Sequence, residues 1–252
     1  MKPDPRAHKE FSMCDPACGT GGFLVSSYEW LMDGTKGGAL ARDLVKRLKS
    51  ETYFGQELVQ RPRRLTLMNL YLHGLEPHIA FGDSIYEIPS GQRFDVVMTN
   101  PPFGTRGANQ APTRDDFTVS TSNKQLNFIQ HVMTILKAGG RAAVVVPDNS
   151  LFADQAGEVF KILTEDCSLH TVLRLPNGTF MPYSPGPKGW APNGRCSLVT
   201  RELLKDSDDS HSDWQSCQLS AHHRAYKLTS PMSVLVFSKE TPPFDPFARL
   251  GP

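Results

Sequence analysis

Between residues 11 and 174 the chain alternates short apolar runs with amphipathic stretches, and this alternation restricts the possible folds more than any other feature. The runs at residues 11–14, 52–56, 79–82, 94–99, 141–146 and 170–175 read as strands. Helical spacing occupies the intervals. Residues 23–32 follow a glycine cluster, and Leu65, Met68 and Leu72 share a face, with Pro62 in a first turn and Gly74 as a stop. Leu126, Ile129, Val132, Met133 and Leu136 repeat up to Gly139-Gly140, and Val159, Phe160, Ile162 and Leu163 follow Asp154. Strands alternating with helices build βαβ units, so the expected fold is α/β, a doubly wound and mainly parallel sheet with helices on both faces. Residues 142–146 are apolar throughout, as a strand covered on both sides requires.

Composition removes several classes of protein. The 252 residues are 39% hydrophobic, enough for a core, and no run approaches the roughly 20 apolar residues that span a bilayer. Five cysteines, with no charged and apolar leader pattern at Met1, point to a reducing cytoplasm rather than a disulfide scaffold or a membrane. Lys and Arg (27) nearly balance Asp and Glu (26), so the net charge of +1 argues neither for nor against a polyanionic partner. Cys14 and Cys18 have no second pair at ligand spacing, and no metal site is expected.

Two regions break the alternation. Residues 104–123 have no period, and a connection of that length is either functional or a mobile surface loop. Beyond Gly186 the chain turns to Pro, Gly, Ser, Asp and His; residues 205–213 read as solvated, and only residues 233–237 suggest a strand. The expectation is therefore one domain over residues 1–186 and an unmatched tail over 187–252, disordered or the product of a reading-frame change.

Four constellations carry chemistry. Asp15-Pro-Ala-Cys-Gly-Thr-Gly-Gly-Phe23 lies between a strand and a helix. Its glycines allow a tight turn and close approach of a ligand to the backbone, and the following helix offers free N–H groups. It is neither a Walker A loop nor Gly-x-Gly-x-x-Gly, and a purely structural turn stays open. Glu57 ends the next strand, 36 residues after Gly21, where an acid accepts from ribose hydroxyls in doubly wound folds; a solvent-exposed carboxylate is the alternative. The excess spacing fits an extra helix within residues 34–50. Asp83, in Gly82-Asp-Ser84, stands where a strand becomes a loop, as an adenine-amine acceptor or a turn residue. The sharpest is Asn100-Pro-Pro-Phe-Gly104 after the strand opened by Asp95. Two prolines end the ladder and stiffen the backbone, so carbonyls at Asn100 and Pro101 and the Asn100 amide present acceptors to an exocyclic amine. Phe103 adds a face for a flat ring. The run Arg61, Arg63 and Arg64 reads as a solvated helix face or a phosphate contact.

Together these motifs resemble the S-adenosylmethionine-dependent amino-methyltransferases of DNA. With Met68-Asn-Leu-Tyr-Leu-His-Gly74, Leu136-Lys-Ala-Gly-Gly-Arg-Ala-Ala-Val144 and Leu175-Pro-Asn-Gly-Thr-Phe180, they are similar to the modification subunit of type I restriction-modification systems over residues 1 to about 186. The resemblance implies a bacterial or archaeal cytoplasmic enzyme that transfers methyl from S-adenosylmethionine to adenine N6 in double-stranded DNA, alongside specificity and restriction subunits. It implies that Asp15, Ala17, Cys18, Gly19, Thr20, Gly21, Gly22 and Phe23 form the methionine-binding loop. Glu57 becomes the ribose acid, Asp83 and Ser84 the adenine edge, and Asn100, Pro101, Pro102 and Phe103 the catalytic segment. A cofactor-binding remnant without turnover, or methylation of RNA or of a protein glutamine, are the alternatives. Such subunits carry a helical domain ahead of the first motif, whereas fourteen residues precede Asp15 here, and the match stops after Gly186. The sheet is thus expected to be incomplete at both ends and to lack its last antiparallel strand.

Overall fold

The structure, a computed structural model, describes residues 10–34, 40–102, 110–175, 194–200, 216–219 and 232–240. Its strands are β1 (Met13–Asp15), β2 (Tyr53–Glu57), β3 (His78–Phe81), β4 (Phe94–Thr99), β5 (Leu136–Pro147), β6 (Cys167–Arg174), β7 (Gly194–Thr200), β8 (Ser216–Leu219) and β9 (Met232–Lys239). Helices α1 (Gly22–Gly34), α2 (Arg42–Ser50), α3 (Gln60–Leu72), α4 (Lys124–Ile135) and α5 (Ala156–Asp166) connect them. All form one sheet in the order β3-β2-β1-β4-β5-β9-β6-β7-β8. The pairs from β3 to β5 are parallel, and those made by β9, β6, β7 and β8 are antiparallel. The α/β, mainly parallel expectation is borne out, and α2 supplies the extra helix read from the long interval before Glu57.

Alternation along the strands sorts the core into two layers. Met13 and Val96 pack with Leu24, Leu48 and Leu70 beneath α1, α2 and α3. Their neighbours Cys14 and Val97 point the other way, toward Leu126, Ile129 and Leu163 of α4 and α5.

Two expectations are corrected. The helix read as ending at Gly139-Gly140 stops at Ile135, and the strand read as 141–146 begins at Leu136. Leu136 turns extended and pairs with Phe94, with an irregularity before Val96 pairs with Arg141. Gly139 absorbs the turn at φ +75, and a Cβ at Gly140 would stand 2.8 Å from the Lys137 carbonyl. Second, residues 232–239 form a strand of the sheet, so the expectation of a disordered stretch and of a missing antiparallel strand does not hold there. β9 lies between β5 and β6 in antiparallel register, from Arg141↔Ser238 to Pro147↔Met232 on one side. Leu235 and Phe237 are fully buried. The strand stayed ambiguous in sequence because its partners lie roughly sixty to a hundred residues earlier, and five apolar residues do not specify a distant register.

Candidate active site

The carboxyl ends of β1, β2 and β4 bring Asp15, Glu57 and Asn100 to one edge of the sheet, where ligands bind in open α/β folds. A cavity of about 390 Å³ opens there, lined by Pro16, Ala17, Gly19, Glu57, Asp83, Ser84, Ile85, Asn100, Pro101 and Pro102 among others. This lies within the range of small-molecule sites, roughly 300–1,000 Å³.

The glycine turn is held from below by α3. Gly19 has φ +56, and a Cβ there would meet nothing within 4 Å, so the backbone faces open space. Gly21, at φ +80, leaves no such room: its Cβ would stand 2.8 Å from the Thr66 side chain. Thr66 Oγ1 donates to the Gly19 carbonyl, and Asn69 Nδ2 to the Thr20 carbonyl at 3.2 Å. Glu57 ties the turn to β2, its Oε2 accepting from the Gly19 amide at 2.9 Å and its Oε1 from the Val59 amide at 2.8 Å. Each carboxylate oxygen has a second lone pair beyond these bonds. Asp83 Oδ1 accepts from the Ile85 amide at 2.9 Å, and buried Ser84 donates its hydroxyl to the Pro16 carbonyl.

Asn100 Oδ1 is buried with no hydrogen-bond partner among the described residues. An unmet buried acceptor costs about 1–3 kcal/mol, a penalty that a donor-bearing ligand would relieve. The segment is braced from behind: Gln125 Nε2 donates to the Pro102 carbonyl at 3.3 Å, and Asn123 Oδ1 caps α4 by accepting from the Gln125 and Leu126 amides. Phe103 lies outside the described residues.

Of the residues singled out in sequence, Ala17, Gly19, Glu57, Asp83, Ser84, Asn100, Pro101 and Pro102 therefore share the cavity. Asp15 lies beneath, accepting from the Ala17 amide at 3.1 Å, and Cys18 faces Thr66. Thr20 gives its carbonyl to Asn69, Gly22 opens α1, and Phe23 lines a separate apolar groove with Trp30 and Met98. Burial pushes the Cys18 thiol up to about 12, so it stays protonated at neutral pH. Arg63 donates to the Ile79 carbonyl, while Arg61 and Arg64 are exposed. Sequence reasoning passed over Thr66, Gln125 and Arg114. Thr66 and Gln125 sit on buried helix faces, and Arg114 falls in the stretch without a period, so no local pattern marks them.

Burial pushes the Asp15 carboxyl from 3.8 up to about 7; Glu57's charge adds to the rise, and hydrogen bonding to the carboxylate opposes it. The raised value means that neutral Asp15 favours the fold fully below about pH 4, and that this support is lost as pH rises through 7. Asp15→Asn should therefore gain stability over the wild type at pH 8, by at most about 4 kcal/mol, and match it near pH 4. Urea unfolding at the two pH values checks this; equal differences at both would count against it.

The fold is one shared with S-adenosylmethionine-dependent methyltransferases. A structure from Listeria monocytogenes described as a class I member of that group superposes with a TM-score of 0.58 over 98% of this chain and 58% of the other, at 17% identity. More narrowly, the chain belongs to the N-6 DNA Methylase family, whose profile matches residues 5–185. The type I restriction enzyme EcoKI methylase subunit of Escherichia coli K12 is 40% identical over 201 residues, covering 75% of this chain and 36% of that protein. The crystal structure of the EcoKI M protein gives a TM-score of 0.67 at 31% identity, over 95% of this chain and 41% of that one. The resemblance to type I modification subunits is thus borne out, and the chain spans about a third of the length of the curated relatives it matches. Among the described residues no helix is long and apolar enough to cross a membrane.

Proposed function

We propose that the chain is the catalytic part of an adenine-specific DNA methyltransferase of the type I restriction-modification kind, using S-adenosylmethionine and working beside specificity and restriction subunits. The observation that carries this reading is that Asn100 and Pro101 line the same cavity as Glu57 and Asp83, with Asn100 Oδ1 buried and without a hydrogen-bond partner among the described residues. The cavity fits the cofactor: Gly19 leaves open space for the methionine portion, the free lone pairs of Glu57 suit ribose hydroxyls, and Asp83 suits the adenine amine. When bound, the cofactor supplies an electrophilic methyl group.

This chain's own residues prepare the acceptor. The target adenine leaves the duplex stack, because its amine is out of reach within it. Asn100 Oδ1 and the Pro101 carbonyl each accept one amine hydrogen, and this turns the nitrogen lone pair toward the cavity. Proline has no N–H, so position 101 presents only an acceptor. Gln125 holds the Pro102 carbonyl and keeps the segment in place before substrate arrives. Catalysis then comes from positioning and fixed dipoles rather than from a strong base.

Calorimetric titration of the full chain with S-adenosylmethionine is the first test, with saturable one-site binding expected. Methyl transfer to double-stranded DNA in the presence of the specificity subunit is the second. No cofactor binding overturns the reading; transfer to RNA or to a protein glutamine in preference to DNA overturns the substrate.

A further inference from the structure

The stretch that follows the catalytic segment is firmly tied down where it is described. Arg114 is 5% exposed, and its guanidinium reaches in three directions. Nε donates to Asp116 Oδ1 at 2.9 Å, and Nη2 closes the fork on Asp116 Oδ2. Nη1 donates to the Ser84 carbonyl at 2.7 Å and reaches the Ile85 carbonyl at 3.4 Å. The same nitrogen stands 3.2 Å from His131 Nδ1 of α4. Arginine has no acceptor, so Nδ1 accepts and the His131 proton lies on Nε2. Burial, with the Arg114 charge, lowers the His131 pKa to about 3 and keeps the ring neutral. The guanidinium also lies over the Phe117 ring, 4.1 Å from its centroid.

Ser84 and Ile85 line the cavity, and no described residue between 110 and 121 does. Ser84 in turn holds the Pro16 carbonyl of the glycine turn. On the far side Val119 exchanges two 2.9 Å bonds with the Gln130 amide, and Asn127 Nδ2 donates to the Thr121 carbonyl at 2.8 Å. These anchors sit on α4, the helix whose Gln125 braces Pro102. The buried Arg114 guanidinium therefore joins the cavity wall to a stretch that does not line the cavity, with a second, exposed link where Tyr86 of the wall donates its hydroxyl to the Gln110 carbonyl at 3.1 Å.

We infer that Arg114 is a positioning residue that couples the cofactor-facing turn at Ser84 and Ile85 to residues 110–121, so that filling the cavity makes that stretch harder to open. This rests on the cofactor reading above. A lysine cannot replace it, because one ammonium on a flexible stem does not serve the Ser84 carbonyl and both Asp116 oxygens together.

Hydrogen exchange on the full chain, with and without saturating S-adenosylmethionine, tests the coupling. In the wild type the cofactor is expected to slow exchange in residues 110–121 by about fivefold or more. Arg114→Gln is expected to weaken cofactor affinity by about tenfold and, once saturated, to show no cofactor-dependent slowing there. Arg114→Lys should behave like Arg114→Gln, and Asp116→Asn, which opens the fork and leaves Arg114 in place, should lose part of the effect. If Arg114→Gln does not fold, the other two variants decide. Slowing retained in every folded variant, or absent from a wild type that binds cofactor, overturns the coupling. A wild type that binds no cofactor is detected in the titration itself; it overturns the methyltransferase reading, and the coupling falls with it.

Discussion

Asn100→Ala is expected to lower methyl transfer to DNA by about 10³-fold or more while leaving the protein as stable as the wild type, or slightly more stable. On the proposed mechanism the loss follows from removing one of two acceptors for the reacting amine; single preorganised polar groups at reaction centres contribute about 10²–10³ in rate, and loss of orientation adds to this. The stability expectation has a separate origin. Asn100 Oδ1 is buried without a partner among the described residues, so the folded state carries a desolvation cost that alanine removes. Labelled-methyl incorporation into DNA with the specificity subunit present, together with thermal unfolding of the variant, reads both effects. Wild-type turnover in Asn100→Ala would refute the acceptor assignment. Lost turnover accompanied by a large drop in stability would instead place Asn100 in the framework of the fold.

The second large effect lies far from the cavity. Phe237→Ala should cost about 3–5 kcal/mol, enough to unfold a marginal domain, because a large ring leaves a core that relaxes only partly around the gap. Phe237 is fully buried, in the layer that holds Val144, Leu163 and Leu235. Urea unfolding of the full chain followed by circular dichroism measures the change. An unanchored tail residue would shift stability by less than about 0.5 kcal/mol, and that result would remove β9 from the sheet.

Much of the fold was legible because its signals are local. The run at residues 94–99 coincides with β4, and the faces of α1, α4 and α5 announce themselves by apolar spacing, whereas the stripe Leu65, Met68 and Leu72 of α3 is exposed and its buried face is carried by Thr66 and Leu70. The same holds for the chemistry at strand ends: the glycine turn, Glu57, Asp83 and the Asn-Pro-Pro segment each sit where a strand pattern stops. Other features were hidden for physical reasons. The helix-like run through Leu136 was misread because Leu136 is apolar in either conformation, and pairing with Phe94 selects the extended one. Thr66 looks like a weak helix former, yet it clasps the Gly19 carbonyl and fills the space that Gly21 leaves open.

The amino-acid order alone determined the βαβ rhythm, the turn that needs glycine, and the acceptor-rich segment at Asn100, since periodicity and backbone restriction act within a few residues. Only the tertiary structure decided that β9 enters between β5 and β6, that both oxygens of Glu57 hold backbone amides, and that Arg114 reaches the turn behind Asp83. These contacts join residues tens of positions apart. They exist because particular surfaces are buried together, and that outcome is a property of the packed chain that no single stretch of it contains.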